Sequence, residues 1–168
     1  MPVSRESLEA HAAKEQRRQP LYDAVIEYAT RLAEADGIGL TESIKIVDGW
    51  ATYHRWRFMR GKLEHRVQFG KDCINDSMFG GNKVYFVERN LLYKGKKRGP
   101  IAVWCVIVEE IAHAAQTEYW WELTGTYKKP RGGTAHDSTF LREFKRIWMD
   151  NTEIGNEFIN DDRLEVRG

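Results

Sequence analysis

The segment PIAVWCVIVEEIAHAAQTEYWW, from Pro100 to Trp121, decides the fold of this 168-residue chain. It contains no glycine or proline after its first residue, and Gly99-Pro100 is typical of a helix start with proline in the first turn. Apolar residues occupy nearly every side of such a helix. The sequence therefore predicts a largely buried helix from Ile101 to about Trp121.

The few polar residues of this helix fall on one side. Glu109 and His113 are four residues apart on one face, Glu110 projects beside them, and Gln116 continues that face by a further turn. Ionised carboxylates in an apolar setting are costly unless they are paired, hydrogen-bonded or bound to a cation. The cluster therefore indicates a divalent metal. An ion pair between Glu109 and His113 on a partly exposed helix is the alternative.

A second helix is predicted beyond a loop that runs from Leu123 to Ala135. Asp137 or Ser138 can cap its start, and its apolar residues recur at helical spacing, at Phe140, Phe144, Ile147 and Trp148. The stretch that follows, residues 150–168, is polar with several acids, and predicts a tail that is either docked or frayed.

Upstream of the buried helix the pattern changes twice. Apolar residues at helical spacing predict a helix over residues 21–35, beginning after Pro20. From Ser43 to Lys71 the period is two, interrupted at Met59-Arg60-Gly61, which predicts a β-hairpin. A third strand is predicted from Lys83 to Glu88. We therefore expect an α+β fold: an N-terminal helix, a small three-stranded antiparallel sheet, the buried helix and a following helix.

Length and composition indicate one soluble domain. The expected division is a charged N-terminal segment over residues 1–20, a domain over residues 21–149 and a polar tail over residues 150–168. The chain is 42% hydrophobic and 30% charged, which excludes disordered, collagen-like and coiled-coil proteins. Its formal net charge of +1 gives no overall preference for nucleic acid, so any such contact must depend on local patches.

Cysteine content and hydropathy predict where the protein resides. Cys73 and Cys105 cannot form the dense disulfide framework of a small secreted domain, which favours a reducing compartment. The longest apolar run, Ile101 to Val108, is far shorter than the ~20 residues needed to span a bilayer, and residues 1–20 lack a signal-peptide core. We expect a cytoplasmic protein without a membrane partner.

The motifs of the buried helix and its successor resemble a known family. VEEIAHAAQ, from Val108 to Gln116, resembles the H-E-x-x-H helix of zincin metallopeptidases, with glutamate in place of the first histidine. The segment His136-Asp137-Ser138-Thr139-Phe140 resembles the H-(G/D)-x-x-F motif that carries the third ligand in SprT-like proteins. The order of helix and sheet upstream is also similar, so the resemblance covers residues 21–148.

This resemblance implies a zincin-like fold, a metal site and a peptidase activity. It makes His113 and His136 metal ligands, puts Glu109 in the first-ligand position, and makes Glu110 the general base that takes a proton from the metal-bound water. Zinc is the implied metal, although the oxygen ligand of Glu109 shifts selectivity toward iron or manganese. The implied substrate is a protein or peptide, including proteins associated with DNA.

Further binding residues are predicted around the same cleft. Tyr127, in the loop before His136, could donate a hydrogen bond to a tetrahedral intermediate. Three basic segments with interleaved tyrosines would flank the cleft and bind DNA or substrate. Their candidate residues are Arg55, Arg57, Lys96, Lys97, Arg98, Lys128 and Lys129. An exposed loop tyrosine and ordinary solvated polar faces are the alternatives.

Other interpretations of the cluster stay open. The chain could be a catalytically inactive zincin-fold module that binds DNA or a protein partner. It could instead hold a non-haem iron site of two histidines and one carboxylate, or the cluster could be coincidental. His54 and His65 share the apolar face of the hairpin, where core histidines are favoured over a second metal site.

Overall fold

A computed structural model describes residues 3–80, 98–125 and 136–165 of the chain. It is an α+β structure in which helices pack against a small mixed sheet. In chain order the described elements are α1 (Arg5–Ala35), β1 (Lys45–Val47), β2 (Tyr53–Met59), β3 (Lys62–Gly70), α2 (Lys71–Asn75), α3 (Pro100–Thr124), α4 (Ser138–Asp150) and α5 (Thr152–Ile159). A π-helical turn, Asp76–Gly80, follows α2, and a 3-10 turn, Asp162–Leu164, follows α5.

Helix α1 begins at Arg5 rather than at residue 21, so the predicted start after Pro20 is wrong. The Ser4 side chain caps the helix by accepting a hydrogen bond from the Ser7 N–H at 3.1 Å. Pro20 lies inside the helix, where it removes one backbone hydrogen bond. The preceding residues, mostly Ala, Glu, Lys, Arg and Gln, are strong helix formers, and their propensity outweighs that loss.

The described sheet confirms the hairpin, but it is mixed rather than antiparallel. Strands β2 and β3 pair antiparallel across a turn at Arg60 and Gly61, both with positive φ. The third described strand is β1, which pairs parallel to β3, so the order is β1-β3-β2 and the sheet is mixed rather than antiparallel. β1 was not predicted, because three residues are too few to show the alternation of apolar and polar side chains that identifies a strand. The predicted strand from Lys83 to Glu88 lies outside the described residues.

Helix α3 forms the centre of the molecule, as its sequence predicts. It runs from Pro100, with Gly99 before it, to a left-handed Gly125 cap. It contacts α1, β2, β3, α4 and α5. Its core-facing side chains include fully buried Ile107 and Ile111. Among the described residues, no helix is both long enough and apolar enough to cross a bilayer.

The described residues after α4, up to residue 165, are docked on the core rather than frayed. Phe158 of α5 is fully buried, with its ring centroid 5.3 Å from that of Tyr28 and 5.5 Å from that of Trp104. Leu164 of the 3-10 turn is also buried. Neither Cys73 nor Cys105 forms a disulfide bond, and both are buried. The core thus joins α1, α3 and α5.

Gly155 sets the distance between α5 and α3. A Cβ atom built on Gly155 would lie 2.7 Å from Nε1 of Trp104, whose indole is buried and cannot swing away. Replacing this glycine by alanine should therefore destabilise the fold by about 1–3 kcal/mol, although alanine is the better helix former. Urea unfolding would measure this.

The matched control for this substitution is Asn156→Ala, one residue along on the exposed side of α5. It should change the free energy of unfolding by less than about 0.5 kcal/mol. A Gly155→Ala protein as stable as the wild type would contradict the close packing of α5 on Trp104.

Asp161 joins the 3-10 turn to α1. Its carboxylate accepts hydrogen bonds from the Arg163 guanidinium at 2.9 and 3.0 Å and from the Tyr28 hydroxyl at 3.0 Å. The Arg163 guanidinium above all, helped by the Arg163 backbone N–H and by Tyr28, holds the pKa of Asp161 well below its usual range, against the opposing effect of burial. Folding therefore favours the ionised carboxylate.

The lowered pKa of Asp161 makes the free energy of unfolding depend on pH in the acidic range. The stabilisation is complete above the unfolded-state pKa of about 3.9 and is lost as the pH falls toward the lower folded-state value. We expect Asp161→Asn to flatten the decline of stability below about pH 4, measured by urea unfolding across pH. The exposed neighbour Asp162→Asn is the control, and wild-type and Asp161→Asn curves that stay parallel would contradict the assignment.

Candidate metal centre

Three predicted ligands converge at the contact between α3 and α4. Glu109 and His113 lie one turn apart on α3, and His136 lies just before Asp137, the N-cap of α4. Glu109 Oε1 is 3.2 Å from His136 Nε2 and 4.0 Å from His113 Nε2. One ligand atom from each residue lies within 4.8 Å of the others. This Glu/His/His group is close enough to hold a metal ion.

The distances fit a tetrahedral cation. Ligand atoms about 2.1 Å from a zinc ion at tetrahedral angles lie about 3.4 Å from one another. The two distances from Glu109 Oε1, 3.2 and 4.0 Å, fall on either side of that value. Two imidazoles with one carboxylate is also an established donor set for zinc with an open fourth position. The residues present therefore fit the metal that the resemblance implies.

Gln116 and Asp137 orient the His113 ring. Gln116 donates from Nε2 to Asp137 Oδ1 at 2.9 Å, which turns its carbonyl oxygen toward His113 Nδ1 at 3.4 Å. Asp137 Oδ1 also accepts the Phe140 backbone N–H at 3.0 Å, as a helix N-cap does. Because Nδ1 then carries the proton, Nε2 keeps the lone pair that a metal needs.

Phe140 packs against both candidate ligand histidines. Its ring stacks on His113 with the centroids 4.5 Å apart and meets His136 edge-on at 4.9 Å. The last position of the H-D-x-x-F segment is thus a side chain that fixes both imidazoles. Asp137 in the same segment caps α4, as the sequence predicts.

Glu110 is buried beside this group, and no positive charge among the described residues is paired with it. Its Oε2 atom has no hydrogen-bond partner among the described residues. Burial first, and then the neighbouring carboxylate of Glu109, raise the pKa of Glu110 well above its usual value. A buried carboxylate oxygen of this kind is the feature expected beside a cation, which would offset both effects.

The environment keeps His113 in the form that binds metals. Burial is the main cause that lowers the pKa of His113, and the charge of His136 acts in the same direction. The carboxylate of Glu109 and the hydrogen bond to Gln116 oppose this shift without reversing it. A neutral imidazole is the ligand form, so no proton has to be displaced at neutral pH.

A cavity of about 400 Å³ opens onto the ligand group. One wall is formed by α3 with His136, and the other by β2 and the residue before it. The lining residues are Thr52, Tyr53, His54, Trp56, Glu109, Glu110, His113, Gln116, Thr117, Trp120 and His136. Its size is that of a small-molecule or peptide-binding cleft.

The predicted basic residues do not line this cavity where they are described. Arg55 stacks on Tyr53 with its guanidinium carbon 4.3 Å from the ring centroid, and Arg57 pairs with Glu64 at 2.9 Å. Arg98 donates to the Phe79 carbonyl at 3.4 Å. The other predicted residues, Tyr127, Lys96, Lys97, Lys128 and Lys129, lie outside the described residues.

Sequence reasoning missed a buried polar chain next to the site. It placed His54 and His65 on one face of the hairpin, and the register puts them diagonally, with His54 opposite Val67 and His65 opposite Trp56. Their side chains are hydrogen-bonded to each other, and His65 is bonded in turn to Glu118 of α3. The shared face of the histidines was visible in the sequence, but nothing in it connected Glu118 to the sheet.

Comparisons with known proteins identify no relative. No protein-family model, no curated protein and no solved structure matches this chain. The interpretation of the site therefore depends on its own geometry.

The ligand group predicts stoichiometric metal binding. Untagged protein incubated with zinc and desalted should hold about one zinc per chain by elemental analysis. His113→Ala and His136→Ala should each weaken zinc binding by more than about a hundredfold, because loss of a direct ligand exceeds the effect of losing its hydrogen-bond partners.

His11→Ala provides the matched control, since His11 lies on the exposed N-terminal part of α1. This variant should bind zinc like the wild type. Equal zinc retention by all four proteins would mean that the metal binds elsewhere, and no zinc in the wild type would exclude the site.

Proposed function

We propose that this chain is a metal-dependent peptidase of the SprT-like type. The observation that carries the proposal is the convergence of Glu109, His113 and His136 at a cavity that buried Glu110 also lines. Its Oε2 has no hydrogen-bond partner in the part of the chain that the structure describes. This is the set of groups that metal-assisted hydrolysis requires: three ligands, an open side and a carboxylate within the cleft. The sequence resemblance to H-E-x-x-H and H-(G/D)-x-x-F supports the same assignment.

Glu110 is the proton carrier in this proposal. A divalent cation bound by the three ligands would polarise a scissile carbonyl and make a water molecule more acidic. Glu110 Oε2 takes a proton from water in the cavity as the water oxygen bonds to the scissile carbonyl carbon, and it delivers that proton to the amide nitrogen as the C–N bond breaks. The apolar surroundings of α3 favour the protonated carboxyl, which makes Glu110 able to hold the proton between the two steps.

Strand β2 supports a peptide as the substrate. It is at the edge of the described sheet, and its residues Tyr53, His54 and Trp56 line the cavity. An extended peptide can pair with a strand edge through backbone hydrogen bonds, which imposes little side-chain selectivity. Trp56 is 38% exposed, so it offers an apolar surface to such a chain.

Zinc is our proposed metal, with iron or manganese as the alternatives. The two histidines suit all three metals, and the carboxylate oxygen of Glu109 is a harder ligand than the histidine it replaces in the resemblance. With a metal bound, the negative charge of Glu109 would also make a water molecule there less acidic than three histidines would. Metal preference therefore depends chiefly on Glu109.

Proteins associated with DNA are the substrate class that the resemblance adds to this proposal. Arg55 supports it in part, because this exposed guanidinium stacks on Tyr53 of the cavity wall and could contact a phosphate. Arg57 supports it less, since its pairing with Glu64 already neutralises its charge.

Substitution of the proposed base tests the activity. Glu110→Gln should lower the cleavage of fluorescently labelled casein by zinc-loaded protein by about 10²–10⁴-fold, because glutamine cannot accept the proton. Zinc content should stay at the wild-type level, since Glu110 is not one of the ligands. Fluorescence release and elemental analysis on the same samples measure both.

Glu122→Gln is the matched control, a glutamate on the exposed last turns of α3, and it should cleave casein like the wild type. Cleavage that survives in Glu110→Gln would refute the role of Glu110. A wild-type protein that binds zinc but cleaves nothing would favour the inactive zincin-fold module that binds DNA or a protein.

A further inference from the structure

Three ionisable side chains form a continuous hydrogen-bonded chain through the interior. His54 Nε2 and His65 Nδ1 are 2.7 Å apart, and His65 Nε2 and Glu118 Oε1 are also 2.7 Å apart. The three residues come from β2, β3 and α3. The mechanism proposed above uses none of them.

The chain connects the metal cavity to a second cavity. His54 lines the metal cavity, whereas Glu118 lines a separate cavity of about 330 Å³ together with Glu122, Glu143 and Arg146. His65 between them is completely buried. A fully buried imidazole must satisfy both ring nitrogens within the protein, and here it does so through one residue on each side.

The carboxylate at one end fixes the direction of every hydrogen bond. A carboxylate oxygen accepts, so His65 must donate to Glu118 from Nε2. A neutral imidazole that donates from Nε2 accepts at Nδ1, so His54 must donate to His65 from its own Nε2. The remaining nitrogen of His54, Nδ1, then carries a lone pair, and no described residue donates to it.

Both imidazoles are held neutral. Burial above all, and then the charges of His65 and His113, lower the pKa of His54 to about 3. Burial also lowers the pKa of His65, although its hydrogen bond to Glu118 and the charge of Glu118 oppose this. With both rings neutral, the order of donors and acceptors is set by Glu118 alone.

We propose that His54 presents Nδ1 as a fixed hydrogen-bond acceptor to the occupant of the metal cavity, with His65 and Glu118 as positioning residues that hold its tautomer. This inference rests on the proposed function. The acceptor at His54 Nδ1 selects an occupant that donates a hydrogen bond, such as a backbone N–H of an extended peptide. Carboxylates and phosphates have only acceptors to offer and are disfavoured at this wall. His54 would thereby align the substrate beside Glu110 without exchanging a proton.

Nitrogen-15 NMR of histidine-labelled protein tests the tautomer directly. Imidazole 15N shifts and their couplings to ring protons distinguish Nδ1–H from Nε2–H, and both His54 and His65 should carry the proton on Nε2. Glu118→Ala should remove this preference at both histidines, while Glu122→Ala, which alters the same cavity without touching His65, should leave it unchanged. A proton on Nδ1 of His54, or a tautomer that ignores Glu118, would overturn the inference.

Kinetics of the zinc-loaded protein test the acceptor. His54→Asn keeps an oxygen acceptor near the place of Nδ1, whereas His54→Leu has none. With casein as the substrate, KM should rise about five- to tenfold in His54→Leu and by clearly less in His54→Asn, with zinc content unchanged in both. A role that is only structural would affect both variants alike, and equal losses would therefore overturn the acceptor role.

The two proposals fail in different ways. A wild-type protein that neither binds zinc nor cleaves casein overturns the proposed function, while the NMR experiment still decides the tautomer, because it needs no substrate. Normal zinc binding and cleavage together with the wrong tautomer overturns only the role of His54.

Discussion

Glu109 and Glu110 place adjacent carboxylates in the middle of an apolar helix, and the cost of burying them organises the structure around α3. A carboxylate in apolar surroundings stays ionised only where positive or donor groups lie nearby. The described residues supply two imidazoles to Glu109 and no hydrogen-bond donor to Glu110 Oε2. The lack of a donor to Glu110 Oε2 is the physical reason why a cation fits the site. It is a stronger argument for a metal than the resemblance of the motifs alone.

Helix α3 can accommodate this polar cluster because its other sides are apolar and pack against the sheet and the neighbouring helices. The sheet and α1 cover it, while α4 brings His136, Asp137 and Phe140 to its polar face. Phe140 packs on both candidate ligand histidines; the Gln116 side chain also bonds to His113, and His136 lies just before the N-cap of α4. Outer contacts of this kind fix ring orientation, on which metal affinity depends.

Much of this arrangement could be predicted from the sequence, because the strongest signals were local. The buried helix, the hairpin and the Asp137 cap each follow from periodicity or capping chemistry within a few residues. The continuation of α1 through Pro20 could not be predicted. It depends on whether the summed helix propensities of the residues before Pro20 outweigh the one backbone hydrogen bond that proline removes. The parallel pairing of β1 and the link from His65 to Glu118 depend on contacts distant in sequence, which no local pattern contains.

The docking of Phe158 between Tyr28 and Trp104 has a kinetic consequence. Contacts between α1 and α5 join residues that are more than a hundred positions apart in sequence. Such contacts slow folding, because the entropy of closing a long loop is lost before the stabilising contacts form. Until then the apolar stripe of α1, from Leu21 to Ala33, stays uncovered on its α5 side. A chain caught at that stage exposes a surface that chaperones bind and that favours aggregation.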